Sequence, residues 1–349
     1  MDFATGALAS KAKAMYGRML KQNNYEELLR KKSVSEIAYY LKNETDYAEI
    51  LSDVHETTLH RGQLENLMHR YIFEKTMRLV RFAGTAHASF YSGFMIPEES
   101  EQILNQIRLM NSDLYEDFAK DVPLYLNKFS SFDLMKLNQS KNFKEMLSVL
   151  KGTGFEQVLK PFEPENGQII DYTACDLALR NYYFKELRKA IDGNFKGSVK
   201  KELSTILNTQ IELENITRLY RFKKYFTQEN EPMRDSLMKI EDRFSKRFME
   251  TLMAAPNSDV FLQLLADSPY HFYFDEKEFV FIEYDCERIK YNLANRYMRF
   301  SNNAPLVFTV YLVLLSIEVN NLITIIEGVR YKVPVENISK MLIYTKGGA

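Results

Sequence analysis

The chain has 349 residues, 46% hydrophobic and 27% charged, a balance that fits a folded globular protein and excludes a disordered or fibrous one. Its 46 Lys plus Arg against 47 Asp plus Glu leave a formal net charge of −1, so no global field draws it to nucleic acid or to an anionic surface. Two cysteines, Cys175 and Cys286, are too few for a disulfide framework.

The N-terminal stretch "MDFATGALASKAKAMYGRML" is charged and lacks an apolar signal core, which predicts a cytoplasmic protein. "SEIAYYLKNETDY" (35–47) reads as a short helix ending in a hydroxyl residue and an aromatic. From Glu65 a longer helix follows, with Phe73 and Val80 on one face. Di-iron bundles use Glu-x-x-His, whereas Glu56–His60 and Glu65–His69 are spaced by four, so surface or loop histidines are expected rather than a metal site. "PEESEQILNQIRLM" (97–110) is a third helical segment.

The pattern then recurs. "FKEMLSVLKGTGF" (143–155) is short and ends Thr-x-Phe; its two glycines fit a turn, and no phosphate-cradling Gly-x-x-x-x-Gly-Lys-Ser/Thr run occurs. Asp176 opens a helix with Phe184 and Ile191 on one face, and "QIELENITRLYRFKKY" (210–225) lies on a later one. Residues 161–169 and 192–199 are predicted loops by their Pro and Gly content. Residues 180–224 are locally basic, and either a solvated face or a docking surface for an acidic partner fits them; Arg218, Arg221, Lys223 and Lys224 are the candidate docking residues. Met233, Leu237, Ile240, Phe244, Phe248 and Leu252 recur every three or four residues and predict one amphipathic helix over 230–255.

A third round starts at "SDVFLQLLADSPY" (258–270) and continues from Asp285 with Leu293 and Phe300. Between them "YHFYFDEKEFVFIEY" (270–284) reads as a loop or short hairpin. The most apolar stretch, Ala304–Ile317, is interrupted by Glu318, Asn320 and Asn321 before it reaches the roughly 20 residues of a bilayer span. Apolar spacing resumes at Leu322, so a long buried core helix is expected. Set beside 210–225, it places Glu318 over Glu212, Asn321 over Asn215, Leu322 over Ile216 and Ile326 over Tyr220. Glu99, Gln102, Ile103 and Ile107 form a weaker copy.

Three elements in one order, three times, at a spacing of about 105–115 residues, predict an all-α chain built from a triplicated helical unit. The boundaries are placed at 1–118, 119–228 and 229–349. No catalytic constellation, cofactor motif or metal set emerges. Cys175 and Cys286 read as small buried side chains, the methionines as adaptable packing, and the Asp-Asp-x-x-Asp motif of helical prenyl-transfer enzymes is absent. A helical-repeat scaffold binding some peptide remains an alternative.

On its residues the chain resembles a known family. "AKAMYGRMLKQNNYEELLRKKSVSEIAYYLKNETDY" (12–47), "IELENITRLYRFKKY" (211–225) and "IEVNNLITIIEGVRYKVPVENISKMLI" (317–343) look like the C subunit of V/A-type ATPases, the counterpart of the d subunit of eukaryotic vacuolar ATPases. Pro97, Glu98 and Ser100 depart from the pattern in the first copy. The resemblance implies a funnel-shaped body of three pseudo-threefold helical lobes. It also implies a rotor component without an active site, seated peripherally on the cytoplasmic face of the membrane. There it would couple the central-shaft subunits to the proteolipid ring during H⁺ or Na⁺ transport, with no cofactor, nucleic acid or small-molecule substrate.

Overall fold

The structure is a computed structural model and describes residues 3–55, 61–83, 87–112, 123–165, 168–225, 234–239, 243–270, 272 and 281–345. Among the described residues every regular element is a helix, as the periodicities predict. The chain divides into two compact units, one made of residues 1–86 and 262–349, the other of residues 87–261. The expected repeat boundaries at 118/119 and 228/229 lie outside the described residues.

Unit 1 opens with α1 (Phe3–Tyr16), α2 (Gln22–Leu29), α3 (Val34–Glu44) and α4 (Arg61–Ala83). The chain then builds unit 2 from α5 (Ala88–Ser92), α6 (Ile96–Met110), α7 (Leu134–Gln139), α8 (Phe143–Val149), α9 (Gly154–Leu159), α10 (Tyr172–Asn194), α11 (Gly197–Tyr225) and α12 (Arg243–Met253). The next helix, α13 (Ser258–Ala266), carries the chain back into unit 1, which α14 (Ile282–Phe300), α15 (Ala304–Arg330) and α16 (Val335–Met341) complete.

Local chemistry explains the three short helices that the sequence pairs with one another. Each starts on a side-chain cap: Ser33 accepts from the Glu36 amide, Asn142 from the Glu145 amide and Asn257 from the Val260 amide. After each helix the hydroxyl residue donates back to a carbonyl of its last turn, Thr45 to Leu41, Thr153 to Leu150 and Ser268 to Leu265. The aromatics that follow Thr45 and Thr153, Tyr47 and Phe155, are buried.

The core of unit 1 is α15, which packs against α1, α3, α4, α14 and α16. By length and composition it could cross a membrane, yet 78% of its most apolar window is buried inside the chain, which makes it the core helix expected from its sequence. Pro305 sits in its first turn, where a missing N–H costs nothing. At its other end Lys332 takes a left-handed φ of 55°, and Val333 N–H reaches back to the Gly328 carbonyl over 2.8 Å, closing a Schellman turn before Pro334. In unit 2, α10 packs on α6, α9 and α11, and α12 closes on α11.

The single helix expected over 230–255 does not form. Ser236–Lys239 are not helical, and α12 begins only at Arg243; residues 230–233 and 240–242 lie outside the described residues. The reason is a distant side chain. Asn215 of α11 accepts from the Met238 N–H at 2.8 Å and donates to the Met238 carbonyl at 2.9 Å, so both polar groups of that peptide are satisfied off-helix. The predicted hairpin over 270–284 falls largely on residues outside those described, and residues 282–284 already belong to α14. The loop expected at 192–199 narrows to Phe195 and Lys196, because α10 runs on to Asn194 and α11 begins at Gly197.

Candidate functional site

The four candidate docking residues all lie on the last two turns of α11, but they differ in what already holds them. Arg218 is committed within unit 2, with Nη2 3.3 Å from Asp176 Oδ2 on α10 and Nη1 donating to the Ser236 carbonyl. Lys223 donates to the Met253 carbonyl at 2.7 Å, tying down the end of α12, and burial holds its pKa below the ordinary lysine value. Arg221 is exposed. Lys224 is also exposed and lies 5.5 Å and 5.6 Å over the rings of Tyr220 and Tyr225. Elsewhere in the basic stretch, Arg180 pairs with Asp176 and Glu214, and Lys200 with Asp192. Much of the positive charge read from the sequence is therefore compensated across helices. What α11 offers outward at its end is Arg221, Lys224 and the 69% exposed Tyr225 ring.

A second constellation was visible in the sequence only as an alignment. Glu99, Glu212 and Glu318 are 6%, 7% and 3% exposed, which is rare for an acid unless it is paired. Each accepts from a segment well removed along the chain. Glu99 takes the Ser131 amide and the Ser130 hydroxyl, and Glu212 takes the Ser245 hydroxyl. Glu318 Oε2 accepts from Leu20 N–H at 2.6 Å and Oε1 from the Tyr47 hydroxyl at 2.8 Å. One helical turn further on, Asn321 grips both polar groups of Ile343, at 2.9 Å and 2.7 Å, as Asn215 grips Met238. In α11 and α15 a carboxylate and an amide at the same register thus staple the long helix to remote segments. The amide grips backbone in both, and the carboxylate holds the Ser245 hydroxyl in one and the Leu20 amide and Tyr47 hydroxyl in the other. The signal was present, an acid and an amide three apart on otherwise apolar faces, but their partners are not inferable from spacing.

Glu318 also floors a pocket of about 290 Å³ in unit 1, lined among others by Tyr16, Leu20, Tyr25, Tyr291 and Arg299. Burial, reinforced by the charge of Asp46, pushes the Glu318 carboxyl up to about 7, although the Tyr47 and Leu20 hydrogen bonds and Lys75 oppose the shift. Lys75 forms an ion pair with Asp46, whose carboxylate also accepts from the Tyr71 hydroxyl. Tyr47 stacks on Tyr71 at 4.0 Å. These groups hold structure together. Among the described residues no cluster of three His, Cys, Asp or Glu could hold a metal ion; Glu56–His60 lies outside them. Cys175 and Cys286 are buried as expected, and burial pushes the Cys175 thiol up to about 12.

Residues 8–341 match the model of a protein family described as ATP synthase (C/AC39) subunit. The chain is 21% identical over 263 residues to the C subunit of an A-type ATP synthase from Methanococcoides burtonii, covering 75% of this chain and 71% of that one. It is 18% identical to the C subunit of the A-type ATP synthase of Methanosphaera stadtmanae over 61% of this chain, and 21% identical to that of Pyrococcus abyssi over the same share. The matched stretch spans about half the length of these last two relatives, 53% and 55%.

Proposed function

The chain belongs to the ATP synthase (C/AC39) subunit family, and on that premise we propose that it is a rotor part of a V/A-type rotary ATPase. It has no active site of its own in this reading. It joins the central shaft to the membrane proteolipid ring from the cytoplasmic face, and ion choice, H⁺ or Na⁺, belongs to the ring. The observation that carries the proposal is the reach of the family match, which takes in all but the two ends of the chain.

The internal build supports a mechanical role. A part that passes torque without chemistry needs elements that do not slide, and close-packed helices deform little. Here α11 and α15 are further pinned by buried polar staples that satisfy remote backbone groups. A funnel of three lobes would present surfaces disposed around an axis, as a ring and an axial shaft require. The apolar face of α15 is spent on the core of unit 1, so attachment to a membrane sector proceeds through surface contacts.

The test is co-purification. The tagged chain, expressed with candidate shaft and proteolipid subunits and extracted in mild detergent, should retain both. Recovery of the chain alone would remove the rotor assignment.

A further inference from the structure

Two helix ends of unit 1 lie against α1. The Lys11 ammonium lies 5.7 Å over the Phe82 ring in the last turn of α4, and Lys13 donates at 2.9 Å to Asn302, just past the end of α14. The outward groups of these ends are cations and rings. Arg81, Arg296 and Arg299 are exposed, and Phe82 and Phe300 are left 42% and 81% exposed. Arg296, Arg299 and Phe300 lie three or four apart on α14 and so share one side of it.

Counter-charge is sparse in the same place: the pocket that Arg299 lines holds one acid, the buried Glu318. None of residues 3–16, 75–83 and 288–317 is acidic. Arg78, one turn before Arg81, is held by Glu49 at 2.7 Å, whereas Arg81 and Arg299 make no ion pair among the described residues. The near-zero net charge of the chain therefore hides a local excess of positive charge around protruding apolar rings. Water screens the mutual repulsion of these cations without neutralising them, and it leaves Phe300 exposed. A surface with anionic groups outside and an apolar layer just beneath relieves both, and long basic side chains flanking aromatic rings are suited to such an interface. An acidic protein surface would answer the charge alone, and these rings stand at helix tips rather than in a groove that a partner side chain could enter.

We propose that this face of unit 1 seats on an anionic phospholipid surface, with Arg81, Arg299, Lys11 and Lys13 at the phosphate level and Phe82 and Phe300 in the interfacial layer. The inference rests on the reading that the chain works at a membrane face, and it adds which face and which lipid chemistry.

The full chain is sedimented with vesicles of phosphatidylcholine alone and with added phosphatidylglycerol. Binding should require the anionic lipid and weaken at least several-fold as salt rises from about 0.1 M to about 0.5 M. Arg81→Glu/Arg299→Glu should cut the partition by roughly ten-fold or more, and Phe300→Ser should cut it several-fold while keeping the salt dependence. All three positions are exposed, so helix content and the melting temperature serve as folding controls. Equal binding to neutral vesicles, or full binding by the double charge reversal, overturns the proposal. If wild type ignores vesicles yet still co-purifies with shaft and ring, this surface falls and the rotor reading stands. Vesicle binding as described, with no co-purification, supports the surface and removes the rotor reading.

Discussion

A carboxyl that is 3% exposed and surrounded by tyrosines holds its proton longer than one in water. Burial lifts Glu318 from 4.5 to about 7, so between those values the native chain keeps a proton that the unfolded chain has released. Stability must then fall as pH rises through that window and level off above it. Glu318→Gln removes the titration and keeps an oxygen for the Leu20 amide. Urea unfolding from pH 5 to pH 8 should show wild type losing on the order of 3 kcal/mol relative to the variant. Parallel profiles would rule out a protonated buried carboxyl. At this scale the sequence was half legible. Aligning Glu99, Glu212 and Glu318 needs only their apolar surroundings, but the donors to Glu318 stand 298 and 271 residues away, beyond any local pattern.

Helix periodicity located the long elements because an apolar stripe is a property of consecutive residues, and α15 and α11 formed where it ran. It failed over 230–255 for the opposite reason. Leu237 and Ile240 fit the helical rhythm, but the Asn215 amide offers the Met238 backbone between them a better partner than a preceding turn could. Asn215→Ala strands both groups in a site that is 0% exposed at Asn215 and should cost on the order of 3 kcal/mol in equilibrium unfolding. Asn321→Ala, at the matching register of α15, should cost a comparable amount. A loss below about 0.5 kcal/mol at either position would mean that water serves the peptide equally well. The pairing within the basic stretch was illegible for the same reason, since Arg180 meets Glu214 and Arg218 meets Asp176 only once α10 and α11 pack together.

For the assembled machine the informative cations at the end of α11 are the two that stand exposed, Arg221 and Lys224. Lys223 is unsuitable because reversing it would also release the Met253 carbonyl. Arg221→Glu/Lys224→Glu should instead lower recovery of shaft and ring subunits several-fold at about 0.15 M salt, with the melting temperature held. Unchanged recovery would assign that face to solvent. The same molecule also imposes a schedule on its own synthesis. Unit 1 is assembled from both halves of the chain, and Leu20 and Tyr47 find their acceptor only when residue 318 is made. At about 5–20 residues per second the nascent α1–α4 segment waits roughly 15–60 s on the ribosome for its core helix, while the residues of unit 2 emerge as one uninterrupted run. The continuous unit is therefore the one free to fold during translation, and the N-terminal helices are the segment most in need of chaperone cover.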